Sequence, residues 1–91
     1  AIAPLVSARL GRNLLELGGN NAAIICPTAD LDLTIKGVTF SAAGTTGQRC
    51  TTLRRLFVHE DIYEKVINKL IPSFESLKIG DPFDRKIQVG P

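Results

Sequence analysis

Two short apolar runs, Asn13-Leu14-Leu15-Glu16-Leu17 and Ala22-Ala23-Ile24-Ile25-Cys26, flank the polar tetrapeptide Gly18-Gly19-Asn20-Asn21, and the second ends at Pro27. Runs this short and this apolar suit buried strands better than surface helices. The Gly-Gly-Asn-Asn link supplies residues that tolerate positive φ, and a proline can neither donate to a ladder nor leave its fixed φ. The first run is therefore expected to be a buried strand entering a tight turn, and the second run a second strand.

Helical spacing surrounds this pair. Ile2, Leu5, Val6 and Leu10 lie on one helical face, with Gly11 as the expected stop. After Pro27, Thr28 or Asp30 can cap a helix starting near Leu31, whose Leu31, Ile35, Val38 and Ala42 recur every three or four residues. The small residues from Ser41 permit close backbone approach, and the helix is expected to give way near Gly47. Arg54 to Glu60 reads as a strand through Leu56, Phe57 and Val58. Asp61 opens a helix with Ile62, Val66, Ile67, Leu70 and Phe74 on one face, which Pro72 should kink or end early. The tail from Gly80-Asp81-Pro82 to Gly90-Pro91 is turn-rich. Strands alternating with helices place the chain in the α/β class.

Size and charge narrow the functions available. A 91-residue chain forms one small domain at most and buries only ~60–65% of its unfolded surface, so independent folding is not assured. The net charge of +2 comes from 11 basic and 9 acidic side chains with no dense basic run, and aromatic residues are 5% with no Trp. A phosphate-tracking stripe and base-stacking platforms are both lacking, so nucleic acid is not an expected partner. The apolar stretch Ala1 to Leu10 is too short to cross a bilayer and contains Pro4 and Arg9. No membrane association and a cytoplasmic location are expected. The chain lacks an initiator Met, which suggests truncation. Cys26 and Cys50 have neither a second pair nor a neighbouring His, so zinc-site spacing is absent and both are read as free thiols.

Few side chains are candidates for chemistry. Glu16, within an apolar run, must be paired or hydrogen-bonded or must titrate high, so it is either a satisfied structural carboxylate or an active-site group at a strand end. Cys50 is either a small buried hydrophobe or a reactive thiol. Arg49 beside it, Arg54 and Arg55 after it, and the glycine- and hydroxyl-rich approach favour a thiolate. Cys26 ends an Ile-Ile run with no basic neighbour and is expected in the core. His59, beside Glu60, is expected at the surface or satisfied. Gly44-Thr45-Thr46-Gly47-Gln48 lacks the Lys-Ser or Lys-Thr of a phosphate loop.

Leu15-Glu16-Leu17-Gly18-Gly19-Asn20 resembles the glutamate signature of the aldehyde dehydrogenase superfamily, and Gly47-Gln48-Arg49-Cys50-Thr51 resembles its cysteine signature, in the usual order and at the usual separation. The resemblance extends over essentially the whole chain. Within the superfamily it is strongest to the antiquitin, or α-aminoadipic semialdehyde dehydrogenase, branch. Asn20-Asn21 stands where most members have Lys after Gly-Gly, Arg49 directly precedes the cysteine, and Thr51-Thr52-Leu53-Arg54-Arg55-Leu56 continues as that branch does.

This resemblance implies a fragment of the aldehyde dehydrogenase fold, with residues 1–19 ending the NAD(P)-binding domain and residues 20–91 beginning the catalytic domain. It implies oxidation of an amino-acid semialdehyde by Cys50 as nucleophile and Glu16 as general base. Leu17 and Gly18 would lie at the nicotinamide end of the cofactor site, and Arg49 and Thr51 at the substrate. The implied cofactor is NAD, with NADP possible. No metal is implied, the parent is expected to be a homo-oligomer, a tetramer, and a mitochondrial location is open if the source is eukaryotic. For Arg49 the competing role is a salt bridge to a carboxylate elsewhere. Because no glycine-rich βα turn is present, the segment alone is expected to bind cofactor weakly or not at all. A non-catalytic fragment and a cofactor-independent thiol esterase or acyl-transfer activity are the competing readings.

Overall fold

A computed structural model describes residues 1–90; Pro91, and with it the end of the expected Gly90-Pro91 turn, lies outside the described residues. The elements are α1 (Ile2–Ala8), β1 (Ala22–Ile25), α2 (Leu31–Ala43), β2 (Arg55–Val58) and α3 (Tyr63–Glu75), with short 3-10 turns at Gly44–Gly47 and Glu60–Ile62. β1 and β2 pair in parallel, Ala22 opposite Arg55 and Ile25 opposite Val58. With α2 between them they form a β–α–β unit, and α3 packs on α2. The α/β class follows from this order.

Local rules account for most boundaries. Asp30 caps α2 by accepting the Leu33 amide at 3.1 Å. Ile35, Val38, Ile25, Ile62 and Val66 form the buried core, with Leu31, Leu56, Val58 and Leu70 packed around it. The stripes expected on both helices thus meet the inner face of the strand pair. Thr39 and Ser73 share a 2.8 Å hydrogen bond across the α2–α3 contact, and Lys69 Nζ donates to Asp32 at 2.7 Å nearby.

Four expectations are corrected. The run through Glu16 is not a strand: residues 11 to 20 carry no regular structure, and Leu14 and Leu17 are almost fully exposed. A ladder needs a partner, and among the described residues β1 and β2 pair only with each other. Cys26 is exposed rather than in the core, because the inward position of β1 falls on Ile25 and the next residue already turns out towards Pro27. α1 ends at Ala8, before Gly11, and Leu10 takes the left-handed position at φ 58°. The Leu10 amide returns to Ser7 and that of Gly11 to Val6, which satisfies the last carbonyls although glycine stands one residue late. Finally, α3 runs through Pro72 to Glu75. Its last turn is held by the Ser76 amide on the Pro72 carbonyl and by the Ser73 hydroxyl on Thr39, bonds that do not need the missing Pro72 amide.

Candidate functional site

Between α2 and β2 the chain makes an unusual passage. Thr45 and Thr46 have φ of 51° and 56°, and Gly47 follows at 68°. β-Branched residues rarely occupy this left-handed region, and each costs on the order of 1–3 kcal/mol unless neighbours hold it. Here they are held. The Thr45 hydroxyl donates to the Gly44 carbonyl and the Thr46 hydroxyl to the Gly90 carbonyl at 2.6 Å, while the Arg54 guanidinium donates to the Gly47 carbonyl at 2.8 Å. The strained turn redirects the chain off the end of α2 and presents Cys50 at the surface.

Cys50 sits in a second, tighter turn. The Thr52 amide donates to the Arg49 carbonyl at 3.1 Å, and the Thr52 hydroxyl oxygen accepts the Arg49 amide at 3.0 Å. Thr52 is only 1% exposed, so this frame is anchored in packed surroundings. From the other side Asn21 Nδ2 donates to the Cys50 carbonyl at 2.6 Å and to the Thr52 carbonyl at 3.0 Å. The Asn21 carbonyl in turn accepts the amides of Arg54 and Arg55. Asn21 directly precedes β1 and directly follows the Glu16 signature, so this one side chain joins the end of that motif to the cysteine turn in space.

All three arginines around the thiol are committed to main-chain carbonyls. Arg55 donates Nε and Nη2 to the Asn20 carbonyl, Arg54 donates to that of Gly47, and Arg49 Nη2 to that of Phe40 at 2.9 Å. The Arg49 guanidinium also lies 4.7 Å from the Phe40 ring centroid. A Cβ on Gly44 would stand 2.5 Å from its Nη2, so a larger residue there would push the guanidinium aside. Among the described residues Arg49 makes no salt bridge, and this carbonyl and ring contact hold it. Its buried Nε has no hydrogen-bond partner, which leaves one donor of the fork unused.

Arg49, Cys50 and Thr51 therefore share one turn, whereas Glu16, Leu17 and Gly18 lie on the extended segment before β1, exposed to solvent. With Glu16 exposed, the demand that a buried carboxylate be paired does not arise. Gly18 and Gly19 have no atom within 4 Å of the position a Cβ would take, so the stretch after Glu16 lies open in this chain. The turn after β1, Cys26-Pro27-Thr28, carries no glycine and cannot form a phosphate cradle of the dinucleotide-binding type. The site gathers at the amino ends of the parallel strands, not at the carboxyl ends, where Cys26 and His59 sit. The strand-end argument for Glu16 therefore does not locate it.

Sequence reasoning missed Asn21 and Thr52. A signal for both existed: a carboxamide immediately before a strand and a threonine two residues after the candidate cysteine are residue types that tie turns to neighbouring backbone. Among the described residues no metal-binding cluster of His, Cys, Asp and Glu occurs, and no helix is long and apolar enough to cross a membrane.

The model of the aldehyde dehydrogenase family matches residues 1–91. Among curated relatives, aldehyde dehydrogenase family 7 member A1 of Brassica napus is 52% identical over 86 residues, which is 94% of this chain and 17% of the relative. Alpha-aminoadipic semialdehyde dehydrogenase of Bos taurus is 49% identical over 99% of this chain and 17% of its own length. The chain thus spans about 17% of the curated relatives it matches. Among solved structures, lactaldehyde dehydrogenase of Escherichia coli superposes with a TM-score of 0.86 at 32% identity, covering 99% of this chain and 19% of that one. A 1-pyrroline-5-carboxylate dehydrogenase from Thermus, solved with bound NAD, gives 0.75 at 38% identity over 81% of this chain and 14% of its own.

Proposed function

Because the chain belongs to the aldehyde dehydrogenase family, we propose that the full-length protein carrying it oxidises an amino-acid semialdehyde, of the α-aminoadipic semialdehyde kind, to the carboxylate with NAD or NADP. The observation that carries this reading is the Asn21 bridge, which ties the cysteine turn to the segment that bears Glu16. The relatives of Brassica napus and Bos taurus support the substrate class. Residues 1–19 are assigned to the cofactor domain and residues 20–91 to the catalytic domain. The core supports that division, since its buried residues run from Ile25 to Val66 and none precedes Gly19.

Cys50 attacks the aldehyde carbon as thiolate and forms a hemithioacetal, whose oxyanion is held by the Cys50 amide with a further donor from the rest of the protein. Leu17 and Gly18 would hold the nicotinamide end of the cofactor, which when bound would supply the hydride acceptor. Loss of hydride leaves a thioester on Cys50, and Glu16 removes a proton from the water that hydrolyses it. Thr51 borders the substrate. Arg49 is assigned to the remote carboxylate of the semialdehyde, which a planar guanidinium can meet in a way that lysine cannot.

The test is absorbance at the reduced-nicotinamide band, with the full-length protein given NAD or NADP and α-aminoadipic semialdehyde. Turnover is expected with the semialdehyde and faster than with an uncharged aldehyde of similar length. A folded full-length protein that released acid from a thioester but never reduced the cofactor would replace this reading by acyl transfer.

A further inference from the structure

The hydrogen bonds around Cys50 give Asn21 a role that its position outside both motifs conceals. The Cys50 amide belongs to the peptide whose carbonyl, that of Arg49, accepts the Thr52 amide. The next peptide carries the Cys50 carbonyl, and this is held at 2.6 Å by Asn21 Nδ2. The same nitrogen reaches the Thr52 carbonyl at 3.0 Å, so the turn is gripped on both sides of Thr51. A carboxamide offers two N–H donors and here uses them on two carbonyls of one turn. Asn21 is itself fixed, because its carbonyl accepts both Arg54 and Arg55 amides at the entrance to β2.

We propose that Asn21 is a positioning residue that fixes the backbone planes flanking Cys50, so that the Cys50 amide points at the oxygen of the reacting carbonyl. The inference rests on the reading of Cys50 as the nucleophile. Its physical basis is that an amide stabilises an oxyanion only when already aimed at it, because reorientation during the reaction would consume the stabilisation. The Cys50 turn is a surface turn preceded by three left-handed residues; its internal bonds between Arg49 and Thr52 hold the peptide before Cys50, and the Asn21 grip holds the peptide after it, which carries the Cys50 carbonyl. The carbonyl oxygen of Asn21 is unaffected by changes to its side chain, so the entrance to β2 survives substitution.

The experiment uses the full-length protein and the variants Asn21→Asp, Asn21→Ser and Cys50→Ala. Two rates are compared: single-turnover formation of reduced nicotinamide, and alkylation of Cys50 by iodoacetamide, a displacement that develops no carbonyl oxyanion. Asn21→Asp keeps the shape and loses the donors, and is expected to slow single turnover by roughly 10²-fold, the scale of a misdirected reacting group, with KM within about threefold. Alkylation should stay within about twofold of the parent. Asn21→Ser, with one shorter donor, should fall between, and it decides the matter if the aspartate variant does not fold. Parent-like single turnover in a folded variant overturns the proposal. So does alkylation that falls in step with turnover, because the side chain would then be preserving the thiol or the fold instead of aiming the amide. Cys50→Ala separates the two levels: if it is inactive while Asn21 variants turn over normally, only the positioning role fails; if it is active, the nucleophile assignment fails and the positioning role with it.

Discussion

Cys50 is exposed on a turn whose backbone is held by Thr52 and Asn21, and the functional predictions at this scale concern which bond each side chain makes or breaks. Cys50→Ala in the full-length protein is expected to remove dehydrogenase turnover by at least ~10³-fold, read as absorbance of reduced nicotinamide, because no other group on this turn can form the thioester. Glu16→Gln acts later. Its expected signature is a preserved burst of one reduced nicotinamide per site followed by a steady state slower by roughly 10²–10⁴-fold, the usual contribution of a general base. Loss of the burst as well would place Glu16 in acylation and overturn its assignment. For Arg49, whose guanidinium lies on Phe40, Arg49→Lys should raise KM for the charged semialdehyde about tenfold or more, the value of a lost charge-assisted hydrogen bond. KM for a short uncharged aldehyde should hardly change. Equal increases for both would show that the guanidinium serves the turn and not the substrate carboxylate.

The elements rest on a small core, so their packing can be tested one contact at a time. Val66 is fully buried between α3 and its neighbours, and Val66→Ala should destabilise the unit by about 2 kcal/mol, from lost burial and an unfilled cavity, seen as a lower midpoint in denaturant. Asp32, hydrogen-bonded to Lys69, is held below its ordinary carboxylate value first by that bond and then by the lysine charge. A depressed folded value gives stability that is present above the unfolded carboxylate range and lost as pH falls through the folded one, so Asp32→Asn should matter at neutral pH and cease to matter once pH falls below the folded carboxylate's range. The effect should be small and should fade in salt, because the pair is solvent-exposed. These elements were legible in sequence: Asp30 as a cap, Pro27 as a strand stop, and the stripes Ile35–Val38 and Ile62–Val66 as core. What escaped depends on contacts that spacing does not encode. The Leu14–Leu17 run has the composition of a strand but pairs with nothing in this chain, and Leu10 adopts a left-handed position normally given to glycine because two returning amides close the helix end. The cysteine and glutamate motifs were legible as motifs. The Asn21 grip was not, since a bond from residue 21 to residue 50 exists only once β1 and β2 lie side by side.

At the scale of the whole molecule, shape decides what the segment does by itself. Its radius of gyration is 18.4 Å and its extents are 56 × 37 × 15 Å, whereas a compact chain of this length would measure about 12 Å. The outer face of the strand pair leaves Ile24 76% and Phe57 52% exposed, although parallel strands are ordinarily covered on both faces. Leu14, Leu17 and Phe83 are also bare. Apolar surface of this extent must be covered by other surfaces for the fold to be stable, and most of the length of the matched relatives lies outside the chain. The 91-residue chain expressed alone is therefore expected to bind a hydrophobic dye strongly, to unfold without a sharp transition, and to give no semialdehyde-dependent reduction of NAD, while the full-length protein unfolds cooperatively and turns over. Dye binding and turnover separate two causes of inactivity. A segment that is inactive but folds cooperatively with little dye binding would be a stable unit lacking only its cofactor-binding partner surfaces. A segment that is inactive and dye-binding would show that the Cys50 turn, with its strained approach at Thr45 and Thr46, needs the surrounding protein to hold its shape before it can do chemistry.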